Sequence, residues 1–174
     1  MKRTIPLILV LLIVCGAIDA QKKFNISSPD GRLTAEVVVG KQLTWSLAHD
    51  GQQLIEPSAV SLTLADGEQL GPDARVRHAK QESADETISS PFWISSEVRN
   101  TYNELAISFR GDWGITFRLY DDGLAYRFRT SRKGTLTIAA EEANFRFTGD
   151  RTAWVPYVKG GLGGDQLQSS FENT

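Results

Sequence analysis

Of 174 residues only one is a cysteine, Cys15, and it lies inside the apolar N-terminal stretch. No disulfide can form within the chain. Once that stretch is cleaved, neither a thiol nucleophile nor a thiolate metal ligand remains. Histidine is almost as rare: His49 and His78 stand far apart, and neither has a second histidine at metal-ligand spacing. Long apolar runs are also missing. The longest, Ile5 to Val14, is too short to span a bilayer. Charge of one sign does not dominate either, with 19 basic against 21 acidic residues. No basic stripe favours nucleic acid, and no cationic amphipathic segment favours a membrane surface. A Gly-x-Ser-x-Gly nucleophile elbow is absent, and "KGGLGGD" at 159–165 lacks the Lys-Ser/Thr ending of a phosphate loop.

What is present begins with a leader. Lys2 and Arg3 precede the apolar run, and Ile18-Asp19-Ala20 offers a small residue before a cut at Gln21. Residues 1–20 are therefore expected to be a signal peptide, which places the mature protein in the periplasm or outside the cell. A lipoprotein reading would make Cys15 the first mature residue. Bulky Val14 stands just before it, where a small residue is needed, so that reading ranks second. The leader takes Lys2, Arg3 and Asp19 with it and leaves a net charge of about −3. Residues 21–174 are long enough for one domain with a core of its own.

That domain reads as strands throughout. Leu33, Ala35, Val37 and Val39 share one parity, as do Leu43, Trp45 and Leu47, and then Leu62 and Leu64. Leu105, Ile107 and Phe109 repeat the pattern, followed by Ile115, Phe117 and Leu119. Leu136 with Ile138, and Phe145 with Phe147, extend it to the far end. A period of two with one apolar parity marks a strand buried on one face. Asp-Gly recurs at 30–31, 50–51, 66–67 and 122–123, between apolar runs, and suits tight hairpins. The expected fold is all-β, an antiparallel sandwich. Gly71 to Pro91 is polar and charged without clear alternation, and reads as an exposed excursion or an irregular edge.

Few residues invite chemistry. Asp121-Asp122 falls where "FRLYDDGLAYRF" reverses direction, so both carboxylates are solvated and neither gains the burial that raises a pKa into the catalytic range. They turn the chain. Glu141 and Glu142 are neighbours on a strand and face opposite ways, so they cannot converge on one bond. Asn25-Ile26-Ser27 fits the glycosylation pattern, a tripeptide common by chance. Exposed tryptophans could stack on sugar rings. Trp45 sits on a buried parity, while Trp93, beside Pro91 and Phe92, is the best surface candidate among Trp45, Trp93, Trp113 and Trp154.

Five stretches in order carry a resemblance: "SSPDGRL", "EVRNTYNELAISF", "FRLYDDGLAYRF", "FRFTGDRTAWVP" and "SSFENT". Together they resemble the N-terminal domain of glycoside hydrolase family 97, the exported bacterial α-glucosidases and α-galactosidases. The resemblance implies a sandwich of the galactose mutarotase type, packed on a catalytic (β/α)₈ barrel that supplies the acid and the base or nucleophile. It implies that this domain lends the barrel a glutamate, which joins barrel carboxylates around a calcium ion. In the family pattern that glutamate follows a Trp-x-Pro segment. Trp154-Val155-Pro156 is followed here by Glu172, which is therefore the expected calcium ligand. No catalytic residue is expected in this chain. A barrel needs about 250 residues, so the sequence reads as the front part of a longer enzyme on α-linked oligosaccharides, with its last sandwich strands cut at Thr174 and no activity alone. The alternatives are a free-standing carbohydrate-binding sandwich and a purely structural surface protein.

Overall fold

The computed structural model describes residues 21–89 and 96–152. Every element there is a strand, and every strand pairing is antiparallel. The order is β1 (Lys22–Ser27), β2 (Leu33–Val39), β3 (Leu43–His49), β4 (Gln52–Leu64), β5 (Gln69–Leu70), β6 (Val76–Ser89), β7 (Glu97–Phe109), β8 (Trp113–Tyr120), β9 (Gly123–Thr130), β10 (Ile138–Ala143) and β11 (Arg146–Phe147). One sheet of seven strands runs β1-β2-β3-β4-β10, with β5 and β11 also paired to β4; the second is the four-stranded meander β6-β7-β8-β9. Their inner faces enclose a single core.

The expected alternation is what fills that core. Ala35, Val37, Val39, Leu43, Trp45 and Leu47 of the larger sheet are all buried, against Leu105, Ile107, Phe109, Ile115, Phe117 and Leu119 of the smaller. Each large apolar side chain removed from water contributes roughly 1.5–3 kcal/mol, which is how the fold dispenses with cross-links. The turns follow the sequence as well. Asp50 and Gly51 both take positive φ, 48° and 78°, so β3 and β4 are joined by a two-residue turn whose twist matches the strands.

Pro57 interrupts the pairing of the long strand β4 at a defined place. It has no N–H to give a ladder, and the β3–β4 register shifts beside it, between Trp45 and Leu47. Ser58 repairs the gap: its buried hydroxyl bonds the Glu56 carbonyl at 2.7 Å and accepts the Arg146 N–H at 3.0 Å. The two halves of β4 then take different partners, β11 at Ile55 and Glu56 and β10 at Val60 to Leu64.

Two expectations need correction. The stretch from Gly71 is an edge and not an excursion over most of its length: β6 is a strand paired with β7 from Val76 to Ser89, with one register shift between Val76 and His78. It lies at the edge of its sheet and, apart from Val76 and Ala79, which pack against the core, is exposed over most of its length, so little burial imposes an alternation on its sequence. Beyond the reach of β8, which ends opposite Tyr102 and Asn103, β6 and β7 continue as a two-stranded ribbon. The second correction concerns Ile138, Phe145 and Phe147. Their parity is right, since Ile138 pairs with buried Leu64 and Phe147 with buried Ile55. Yet they are 55%, 52% and 52% exposed. They occupy the inner face of the larger sheet where, among the described residues, no strand of the smaller sheet packs across from them.

Candidate functional site

The feature that sets this sandwich apart from a closed one is the mouth between β9 and β10. Leu124, Tyr126 and Phe128 point inward from β9 and are half-buried, whereas Arg127 and Arg129 point out, as their alternation predicts. Tyr126 is the centre of an aromatic group. Its ring lies 5.9 Å from Phe117, 6.3 Å from Phe128 and 6.3 Å from Trp45, and Phe145 meets Trp45 edge-on at 5.5 Å. Across the mouth, the Tyr126 hydroxyl donates to Glu141 Oε1 at 3.3 Å. Burial, followed by the Glu141 charge, pushes the Tyr126 phenol up to about 12. The Trp45 indole N–H is fully buried and has no hydrogen-bond partner among the described residues. This arrangement offers apolar and aromatic surface with one polar tether. It has no paired acid and base, and its chemistry is packing rather than bond cleavage.

Glu141 and Glu142 diverge as adjacent strand residues must. Glu141 reaches Tyr126 on the inner face, while Glu142 accepts from the Ser61 hydroxyl at 3.0 Å on the other. The exposed hairpin tip Asp121-Asp122 lines a hollow of about 540 Å³ together with Asp30, Arg99 and Thr101. Asp121 accepts the Asp30 N–H at 2.9 Å and so links two hairpin tips from different sheets. Asp30 is held below the usual carboxylate range, first by the Ser28 hydroxyl and then by the Arg32 N–H. A proton donor needs the opposite shift, so turn chemistry accounts for this cluster.

The remaining candidates divide cleanly. Trp45 and Trp113 are buried core residues, and Trp93 and Trp154 lie outside the described residues. Glu172 and the glycine-rich stretch 159–165 also lie outside them. His49 sits 3.5 Å from its neighbour Asp50, and His78 is on edge strand β6. Asn25 is an exposed position of β1. Among the described residues no group of three or more His, Cys, Asp or Glu could hold a metal ion, and no helix is long and apolar enough to cross a membrane. Sequence reasoning missed the Tyr126–Glu141 tether because its two residues belong to different sheets, and no local pattern reports a contact across a core.

The family model described as glycosyl-hydrolase 97 N-terminal matches residues 26–174. A retaining alpha-galactosidase of Bacteroides thetaiotaomicron is 42% identical over 170 residues. That alignment takes in 95% of this chain and 26% of the relative, so the chain spans about a quarter of the curated relative's length. Among solved structures, a beta-arabinopyranosidase superposes with a TM-score of 0.65 at 22% identity, covering 72% of this chain and 21% of that one. A glycoside hydrolase family 97 enzyme from Pseudoalteromonas sp. strain K8, in complex with panose, superposes with a TM-score of 0.61 at 17% identity, over 68% of this chain and 20% of that one. At those identities the superpositions speak for the fold alone.

Proposed function

Since the chain belongs to the glycoside hydrolase 97 N-terminal domain family, we propose that it is the front wall of an exported α-glycosidase whose catalytic barrel lies in further polypeptide. One observation carries this reading: β10, β11 and the link between them present Ile138, Phe147 and Phe145 to solvent beside the Tyr126–Glu141 tether. Three large apolar side chains on the core side of a sheet call for a cover. The occupant we assign is the remainder of the enzyme's own polypeptide, because the relative is about four times as long as the matched region. The work of this domain is then to position, and the bond-breaking carboxylates belong to the barrel.

The substrates are oligosaccharides with α-linked terminal sugars, and α-galactosides come first because the curated relative is named for them. A retaining outcome requires two carboxyl groups about 5–5.5 Å apart, which the barrel supplies. Residues 1–20 direct export to the periplasm or beyond. Glu172 gives one oxygen ligand to a calcium ion at the interface with the barrel. Calcium takes six to eight hard oxygens, and the described residues gather no such set, so Glu172 acts with carboxylates from the barrel. When bound there, calcium polarises the sugar's leaving oxygen.

The test uses the full-length enzyme and its Glu172→Ala variant. Calcium titration by calorimetry is expected to show weaker binding in the variant, and an aryl α-galactoside to show a lower kcat/KM. Equal calcium affinity in the two proteins removes Glu172 from the site. Failure of the full-length protein to hydrolyse any α-glycoside removes the glycosidase reading. Saturable oligosaccharide binding by the 174-residue chain alone would favour the free-standing sugar-binding alternative.

A further inference from the structure

The charges of this domain are mostly neutralised in pairs. Lys23 holds Glu36, Arg32 holds Asp50, Arg77 holds Asp112, Arg99 holds Asp85, Arg118 holds Glu104, Arg132 holds Glu68 and Arg146 holds Glu56. At one pole of the sandwich this rule fails. Among the described residues Lys22, Lys41, Arg75 and Arg110 form no ion pair, yet all four line one cavity of about 560 Å³. Asp73 is the only acid lining it, which leaves a formal excess of three positive charges. The other cations without an acidic partner among the described residues do not gather: Arg127 and Arg129 line separate hollows, and Lys133 and Arg151 line neither of them.

The four cations come from distant parts of the sequence, and main-chain hydrogen bonds hold their segments together. Lys22 opens β1 opposite Val39, next to the β2–β3 turn that carries Lys41. The Asp73 N–H donates to the Lys41 carbonyl at 3.3 Å. The Arg110 N–H donates to the Arg75 carbonyl at 3.0 Å, fixing the two guanidinium-bearing residues side by side. Asp73 itself takes a positive φ of 51°, a conformation that the surrounding contacts must hold in place. The backbone is therefore set before any ligand arrives.

We infer that this pole is a binding site for a compact, multiply charged oxyanion, a phosphate or sulfate group, either free or carried as an ester on a glycan. Like charges converging on a concave surface repel one another and focus a positive potential into it, and an anion relieves both effects. Two guanidinium groups present forked donors that match tetrahedral oxyanions, and two ammonium groups add charge with adjustable reach. The site lies apart from the β9–β10 mouth and does not depend on the glycosidase reading, so loss of hydrolysis would leave it standing.

Calorimetry of the full chain at low ionic strength tests it, with inorganic phosphate, a sulfated oligosaccharide and its unsulfated parent as titrants. Saturable binding of phosphate or of the sulfated sugar, with none of the neutral parent, is expected, and affinity should fall as salt rises. Binding of both anions means that a free anion suffices; binding of the sulfated sugar alone assigns the site to an ester-borne group. Arg75→Gln with Arg110→Gln should weaken the affinity about tenfold or more. Lys22→Gln with Lys41→Gln provides a second exposed pair should the first destabilise the fold. Arg127→Gln with Arg129→Gln, which removes two charges elsewhere, should leave the affinity unchanged. No saturable anion binding, or equal loss in the comparison variant, would overturn the assignment.

Discussion

Tyr126 shows how much one side chain can owe to its surroundings. Its phenol is pushed up to about 12 mainly because the ring is packed among other aromatics, and secondarily because Glu141 sits at its hydroxyl. An unfolded tyrosine ionises near 10. The folded value is therefore the higher one, and the sign follows from linkage. The contribution is fully present below pH 10 and is lost as pH rises from about 10 toward 12. Denaturant melts across that window should show an alkaline loss of stability that Tyr126→Phe reduces. An identical alkaline limb in the two proteins would mean that the phenol is not buried as described. Burial itself was legible at this scale: the parity of Trp45 and Phe117 was enough to place them inside. The Tyr126–Glu141 contact was not legible, because 15 residues and a change of sheet separate the pair.

At the scale of elements, Gly114 decides how closely β7 and β8 can approach. A Cβ added there would stand 2.5 Å from the Ile107 carbonyl oxygen and 3.4 Å from Ser108 Cα. Both neighbours are backbone, so neither can rotate away. Gly114→Ala should cost about 1–3 kcal/mol, as overpacking of a core does. Gly123→Ala, where the added atom meets nothing within 4 Å, should stay within about 0.5 kcal/mol. Urea melts of the two variants measure the contrast, and equal stabilities would contradict the close β7–β8 approach. Which strands could be read beforehand follows from the same geometry. Strands with one face in the core, such as β2 and β3, announce themselves through alternation. Strand β6 pairs along its whole length but carries no such signal, because most of it is exposed to water. Strands β10 and β11 carry the signal without the burial, since alternation reports which face is inner and not whether anything covers it.

Across the whole molecule, two contacts at hairpin tips hold one sheet to the other. Asp30 and Asp121 join through a single hydrogen bond. Elsewhere, Glu68 on the β4–β5 turn takes both Arg132 nitrogens at 2.6 Å, while Arg132 Nε donates to the Gly111 carbonyl at 2.8 Å. The hydrogen bonds from Arg132 hold the Glu68 carboxyl below its ordinary value of 4.5. The stability it gives is present above that value and is lost as pH falls through the lower, folded one. Glu68 is 45% exposed, so the pair is worth about 1 kcal/mol or less. Arg132→Ala should lower stability by that amount at low salt and by less at about 1 M salt. A loss that ignores both salt and acid would assign the role of Arg132 to its Gly111 contact instead. The four-cation pole escaped sequence reasoning at this scale, since Lys22, Lys41, Arg75 and Arg110 are neighbours only once both sheets are assembled.

The β6–β7 ribbon extends past the sandwich on two strands alone. Strand β7 runs unbroken from that outer end, past Tyr102, to Ile107 at the centre of the core. Whatever grips the far end holds a lever whose shaft is the small sheet itself, and a push applied there is felt first by the best-packed residues in the domain.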